Sequence, residues 1–175
     1  GGVAQVHDDN GNMKDDGTLL FTHDALNRLI KATRNSDGLP IAVYTYDALN
    51  RRITKNVTNS GPLDGFTRYF LDGPQEIEER PSNSGDTILG QYVYGPAIDE
   101  VLTMDRPSGP IYYYHDDSLG SVEALTDGTG AIVERTTYDA YGAPQFTDAA
   151  FTPTGTTSSV GNPLLFTGQR LDAET

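Results

Sequence analysis

Residues 21–31, FTHDALNRLIK, recur as the near copy YTYDALNRRIT at residues 44–54, a step of 23 residues from one aspartate to the next. The same step separates the aromatic–Asp pair at residues 115–116 from the pair at residues 138–139. Self-similarity at a fixed period of this size is typical of repeat architectures, in which each unit packs against its neighbours. The sequence therefore predicts an array of similar units.

Each unit is predicted to be a β-hairpin. Tyr44 and Tyr46 alternate with Thr45, which is the period of a strand. Asp and Asn side chains bond nearby backbone N–H groups and tolerate the left-handed conformation, so the DALN segments are predicted turns. We expect the carboxylates of Asp24 and Asp47 to bond N–H groups one to three residues on. The predicted turn residues are Asp24, Asn27, Asp47, Asn50, Asp116 and Asp139, and the predicted repeat aromatics are Phe21, Tyr44, Tyr46, Tyr114, Tyr138 and Tyr141.

A short helix near residues 24–32 is the alternative for the first unit. Leu26, Leu29 and Ile30 follow one another at helical spacing. However, β-branched and aromatic residues dominate both flanks, and the pattern restarts at each cluster of turn residues. The fold class favoured is all-β, with tandem antiparallel hairpins forming a twisted strip of sheet.

The second half of the chain keeps this β pattern. A strong turn signal at residues 127–130, DGTG, predicts a hairpin, and residues 147–163 are rich in Thr, Ser, Gly and Pro and predict a flexible loop. The predicted strands are residues 87–94, 100–106, 111–115, 121–126 and 131–138. The predicted organisation is repeats over residues 1–60, further hairpins over 61–146, the loop over 147–163, and the start of another motif over 164–175.

Composition excludes several classes of function. The formal net charge is −13, with twelve Lys and Arg against twenty-five Asp and Glu, which disfavours nucleic acid and anionic membrane surfaces as partners. Cysteine is absent, so there is no disulfide or cysteine-based zinc site. No apolar run approaches the length of a membrane-spanning helix, and membrane insertion is not predicted.

The ordered motifs resemble a known family. The tandem Tyr–Asp hairpins are similar to the YD repeats of bacterial Rhs proteins, of the insecticidal toxin-complex shells and of animal teneurins. The stretch YYYHDDSLGSV at residues 112–122, followed by YDAYG at 138–142 and FTGQR at 166–170, resembles the core segment associated with Rhs repeats. The resemblance covers nearly the whole chain.

The resemblance implies a structural role. In the family, YD repeats build a hollow shell around a toxin or effector, and an aspartyl autoproteolytic motif lies beyond the point that corresponds to residue 175. We therefore expect a non-enzymatic building block of a secreted or cell-surface shell. Its expected partners are further repeats, copies of itself or an enclosed effector. A self-assembling extracellular fibre and an adhesin that binds glycans or a receptor remain alternatives.

Other candidate sites have plainer interpretations. Residues 115–117, HDD, offer an imidazole and two carboxylates to a divalent cation, but adjacent strand side chains point to opposite faces. Residues 8–12, DDNGN, lack the glycine and glutamate spacing of a calcium loop and predict a repeat turn. Glu76, Glu78 and Glu79 predict a solvated acidic face, and Asn56 begins a glycosylation pattern that is read as ordinary strand. No catalytic residue, metal or cofactor is predicted.

Overall fold

The computed structural model describes residues 5–81, 87–97, 99–107 and 109–175, and these residues form an all-β protein. Fifteen strands are present in the described residues, joined in one sheet whose spatial order is the order of the chain. Every register given for a neighbouring pair is antiparallel. This confirms the predicted fold class, a strip of consecutive hairpins.

The strand bounds follow the turn signals of the sequence. The strands are β1 (Val6–His7), β2 (Met13–Asp15), β3 (Leu19–His23), β4 (Leu29–Arg34), β5 (Pro40–Tyr46), β6 (Arg52–Val57), β7 (Gly65–Asp72), β8 (Gln75–Arg80), β9 (Gly90–Tyr94), β10 (Val101–Asp105), β11 (Ile111–Asp116), β12 (Val122–Thr126), β13 (Ile132–Tyr138), β14 (Pro144–Thr147) and β15 (Pro153–Gly155).

Helical structure is limited, within the described residues, to two short 3₁₀ turns, Gly61–Leu63 and Phe166–Gly168. The alternative of a helix near residues 24–32 is wrong, because this stretch is a turn followed by β4. The β-branched and aromatic flanks outweigh the helical spacing of three apolar residues. Neither 3₁₀ turn is long and apolar enough to cross a bilayer.

The chain divides into two compact units. Unit 1 contains the described residues up to Tyr69, together with Pro81 and Ala173–Thr175, and unit 2 contains Phe70–Arg80 and the described residues from Thr87 to Asp172. The core of unit 1 is built on Ala32, Ala42 and Tyr44, with Phe21, Leu29 and Tyr46 packed against them. Ala32 lies directly opposite Ala42 on the neighbouring strand, and the two small side chains leave room for the tyrosine rings.

The core of unit 2 is larger and centres on Met104, which is fully buried. Met104 lies opposite Tyr112 on one side and Tyr92 on the other, so the three side chains share one face of the sheet. Val101, Val122, Leu125 and Leu164 complete this cluster. Tyrosine thus supplies core volume here, as its apolar ring allows.

The segment predicted as loop is partly sheet. Strand β15 lies inside residues 147–163 and pairs with β14, with Phe146 opposite Gly155. Beyond it, Val160 and Leu164 pack against the core of unit 2. Although large apolar residues are sparse in residues 147–163, strand pairing and the contact of Val160 with the core hold this segment in place.

Candidate functional site: aspartate turns and buried ion clusters

Seven turns of the described residues are held by one aspartate each. In every case the same carboxylate oxygen accepts hydrogen bonds from the backbone N–H groups two and four residues on, at 2.8–3.1 Å. The aspartates are Asp8, Asp24, Asp47, Asp117, Asp127, Asp139 and Asp148. The expected bonding of Asp24 and Asp47 is present in the N–H two residues on, and a second bond reaches the N–H four residues on, beyond the expected one to three.

The fourth residue of each turn has a left-handed backbone. Its N–H donates to the carbonyl of the turn aspartate, and the N–H of the aspartate donates to the carbonyl of the fifth residue. Asn27 and Asn50 take this position with φ of 60° and 65°, and glycine takes it in four other turns. Phe151, with φ of 64°, is the exception among the described turns. The sequence pattern of these turns is therefore Asp, two residues of any type, and then Asn or Gly.

The predicted turn residue Asp116 is displaced by one position. It is the last residue of β11, and the turn is closed by Asp117, whose carboxylate accepts from the N–H groups of Leu119 and Ser121. The prediction matched His115-Asp116 to the aromatic–Asp step of the other repeats. The structure instead places Asp116 where the other turns have residues such as His23 or Tyr46, and the second aspartate has the Gly three residues later that the turn needs.

Successive turns of unit 1 are linked by the side chain of the fifth turn residue. Arg28 donates through Nε and Nη2 to Asp24 Oδ2, at 2.7 and 2.6 Å, and through Nη1 to Asn50 Oδ1 of the next turn, at 3.1 Å. Asn12 does the same one turn earlier, donating to Asp8 Oδ2 and to Asn27 Oδ1, both at 2.9 Å. These contacts form a ladder along one edge of the strip. In the sequence, the repeated LNR at residues 26–28 and 49–51 indicates this ladder, because its Arg and Asn make the contact between turns. The sequence analysis interpreted these residues only as part of each turn.

The turn aspartates are stabilised in their ionised form. The hydrogen bond from the Arg28 side chain is the main cause that lowers the pKa of Asp24, and the N–H of Arg51 is the main cause that lowers the pKa of Asp47. Arg51 also holds Asp47 through two side-chain contacts of 2.7 and 2.6 Å. In unit 2 the pKa of Asp127 is lowered mainly because the side chain of Thr129 donates to its carboxylate. The pKa of Asp139 is lowered because the backbone N–H groups of Ala143 and Tyr141 donate to it.

The repeat tyrosines have different environments. Tyr44 is 2% exposed, with the Arg52 guanidinium 4.4 Å from its ring centroid. Tyr46 donates its hydroxyl to the carbonyl of Leu29 at 2.6 Å. Tyr138 does the same to Val122 at 2.8 Å. The hydroxyl of Tyr114 donates to Asn162 Oδ1, whereas Tyr141 is 96% exposed at the second free position of its turn.

Unit 2 contains a buried cluster of opposite charges. Glu79 is 5% exposed and accepts from the Tyr92 hydroxyl at 2.7 Å, from Arg170 Nη2 at 2.6 Å and from Arg106 Nη1 at 3.3 Å. Arg170 also donates through Nε to Glu76 at 2.7 Å. Burial alone would raise the pKa of Glu79, but Arg170, Arg106 and the Tyr92 hydroxyl outweigh it, so that the pKa is lowered.

The expectation of a solvated acidic face at residues 76–79 is therefore wrong for Glu79. Its charged partners lie 27 and 91 residues away in sequence, so no local pattern indicates them. A second buried carboxylate was also missed. Glu134 is 1% exposed and accepts from the hydroxyls of Ser158 and Ser159 and from the N–H of Ser159, at 2.7–3.0 Å.

The remaining candidate positions have structural partners. His115 Nε2 is 2.9 Å from Thr126 Oγ1, and residues 8–12 form one of the seven turns. Asn56 is exposed on β6. The described residues contain no group of three or more His, Asp or Glu side chains placed to hold a metal ion.

The comparisons with known proteins agree with this geometry. The Teneurin YD-shell family matches residues 1–146. The chain belongs to the YD-shell family. The tRNA3(Ser)-specific nuclease WapA of Bacillus spizizenii is 31% identical to this YD-shell chain over 144 residues, and teneurin-4 of Mus musculus is 28% identical over 142 residues. The matches cover 82% and 81% of the chain but only 6% and 5% of those proteins.

A solved structure shares the fold. The crystal structure of TcdB2-TccC3 superposes on 96% of the YD-shell chain with a TM-score of 0.67 at 16% sequence identity. The matched region is 9% of that chain. The likeness therefore shows that the hairpin strip occurs as a small part of a much larger protein.

Proposed function

We propose that this chain is a section of wall in a larger YD shell that encloses a toxin or effector, and that it is not an enzyme. The observation that carries the proposal is the strand order. Each strand neighbours the strands before and after it, so β1 and β15 stand at the two ends of the strip. Within the described residues no further strand pairs with β1 or β15. Edges of this kind accept further strands, and a wall grows by adding hairpins.

The carboxylates of the turns and of the interior support a structural role. The Asp carboxylates of the turns are engaged by backbone N–H groups, and Glu79 and Glu134 are engaged by arginine, tyrosine and serine side chains. A general acid or base needs a carboxyl whose proton is exchanged with a substrate. Buried carboxylates with several fixed donors instead hold chain segments together.

The relatives support the shell and its enclosed cargo. WapA is named as a tRNA nuclease, yet the part similar to this chain is a small fraction of it. We infer that the YD-shell section is the container and that any toxic activity belongs to another part of the whole protein. The likeness of this chain to part of teneurin-4 in sequence, and to part of TcdB2-TccC3 in fold, supports an extracellular or cell-surface location.

Protection from protease tests this function. The full-length protein that contains this section is treated with proteinase K, and the survival of the effector region is followed by mass spectrometry. The control is the same effector region produced alone. A shell predicts that the enclosed region survives while the isolated region is digested. Equal digestion rates would contradict the shell and favour a fibre or an adhesin.

A further inference from the structure

Asp116 occupies a position of the repeat that carries no acidic residue in the other described turns. It is the residue immediately before the turn aspartate, and in two other turns this residue is a tyrosine whose hydroxyl donates to a neighbouring strand. The equivalents of Asp116 are His7, His23, Tyr46, Thr126, Tyr138 and Thr147. Among the described turns, a carboxylate therefore takes this position only before Asp117.

The surroundings of Asp116 do not neutralise its charge. Its Oδ1 atom is buried and has no hydrogen-bond partner in the described structure. The side chain lines a cavity of about 440 Å³ with Glu100, Asp117 and Tyr114, and no Lys or Arg is among the lining residues. Burying a carboxylate without a donor or a cation is unfavourable, and neighbouring carboxylates add repulsion.

The titratable groups around Asp116 come from four elements. Asp117 belongs to the turn after β11, Glu100 precedes β10, Tyr114 lies on β11, and Tyr138 lies on β13. Burial, then Asp117 and Glu100, raise the pKa of Asp116 to about 6. Burial and the charges of Asp116 and Asp117 also raise the pKa of Tyr138. The ring of His115, the preceding residue, is hydrogen-bonded to Thr126.

The hairpin that follows Asp116 holds another segment of unit 2. The N–H of Val122 donates to the carbonyl of Leu165 at 3.2 Å, and the N–H of Thr167 donates to Ser121 Oγ at 3.2 Å. The ring of Phe166 meets that of Tyr138 edge to face, 5.4 Å between centroids. Asp116 lies at the base of this hairpin, and its charge acts on Tyr138, the residue against which Phe166 packs.

We propose that Asp116 is a proton-dependent clamp, which loosens the β11–β12 hairpin when ionised and lets it close firmly, with residues 165–167 docked, when protonated. The direction follows from linkage. The folded pKa of Asp116 lies above the ordinary aspartate value of 3.8, so the folded form takes up a proton as the pH falls through about 6. Stability is therefore gained between pH 7.5 and 5, opposite to the turn aspartates.

The size of the effect is set by the pKa difference. The folding constant should rise about three- to tenfold between pH 7.5 and 5, the lower figure allowing for solvent screening of a half-exposed group. The D116N variant carries a neutral side chain of the same shape. It should be more stable than the natural chain at pH 7.5 and should lose this pH dependence.

Urea unfolding at pH 7.5, 6 and 5 compares the natural chain with D116N. In addition, the side-chain carboxyl ¹³C resonance of Asp116 is titrated by NMR in the natural chain and in E100Q. We expect a midpoint near pH 6 that moves lower in E100Q, and slower amide exchange of Leu119 and Ser121 at pH 5 after correction for intrinsic rates. A midpoint near 4, or the same pH dependence in D116N as in the natural chain, would overturn the clamp. The NMR titration decides the question even if D116N does not fold.

Discussion

The guanidinium of Arg28 joins two turns of the strip: it holds Asp24 of its own turn through Oδ2 and donates to Asn50 Oδ1 of the next turn at 3.1 Å. Arg28 also donates to the carbonyl of Asp47 at 3.2 Å. One side chain thus fixes the distance between consecutive hairpins. In a strip that is stabilised by nearest-neighbour contacts, such links control how each repeat joins the next.

The N50G substitution separates the two roles of Asn50. Glycine accepts the left-handed backbone at φ of 65° without strain, so only the side-chain acceptor is lost. We expect destabilisation despite the relaxed backbone. A double-mutant cycle with R28K should give a coupling free energy of about 0.5–1 kcal/mol.

The control for this cycle is R68K, since Arg68 is exposed on β7 of the same unit. It should leave urea unfolding unchanged. If N50G stabilised the protein and showed no coupling to Arg28, the ladder would be an incidental contact.

Two substitutions of Asp47 distinguish the backbone bonds from the ion pair. Asparagine keeps an oxygen acceptor for the N–H groups of Leu49 and Arg51 but removes the charge that pairs with Arg51. Alanine removes both. We expect D47A to lower Tm by about 2–6 °C and D47N by less than half as much. The control is D9A, at an exposed free position of the first turn. An equal decrease of Tm in D47A and D47N would assign the effect to the charge alone.

Removing Arg170 should be more damaging than removing any turn residue. R170M leaves Glu76 and Glu79 without their shared guanidinium, and Glu79 is buried. Breaking a buried charge pair on one side costs about 3–5 kcal/mol. R135M is the matched control, because Arg135 stacks 4.6 Å from the exposed ring of Phe151 and should cost under about 1 kcal/mol. A similar small loss for R170M would show that water replaces the arginine.

The turn aspartates predict acid sensitivity. Asp24, Asp47, Asp127 and Asp139 have pKa values below the ordinary 3.8, so they stabilise the folded chain above that pH. That stability is lost as the pH falls from about 4 through their folded pKa values. Differential scanning calorimetry between pH 5 and 2 should show a steep fall in Tm beginning below pH 4. A constant Tm down to pH 2 would mean that these carboxylates contribute nothing to stability.

The isolated 175-residue chain should associate. Exposed side chains such as Val93, Ile111 and Tyr113 in unit 2, and strand edges at β1 and β15, offer surfaces for other copies or further repeats. Size-exclusion chromatography with light scattering should report species larger than 18.9 kDa. A dispersed monomer that unfolds cooperatively would instead indicate an autonomous binding module.

The sequence predicted the local turns better than it predicted contacts between residues that are far apart in the chain. The DALN turns were predictable because Asp24 and Asn27, and the strand pattern beside them, lie within a few residues of one another. The same rule misassigned Asp116, because two aspartates follow His115 and only the position of Gly120, three residues after Asp117, indicates which of them closes the turn. The Glu79–Arg170 contact joins residues 91 apart, and the sheet alone brings them together.

Cryo-electron microscopy of the full-length protein from its native source tests the central claim most directly. The account predicts that the fifteen strands appear in the order found here, that additional strands pair with β1 and β15, and that the extended sheet surrounds a cavity holding other protein. A map in which these residues form a closed domain, with both edge strands facing solvent and no enclosed volume beside them, would contradict it.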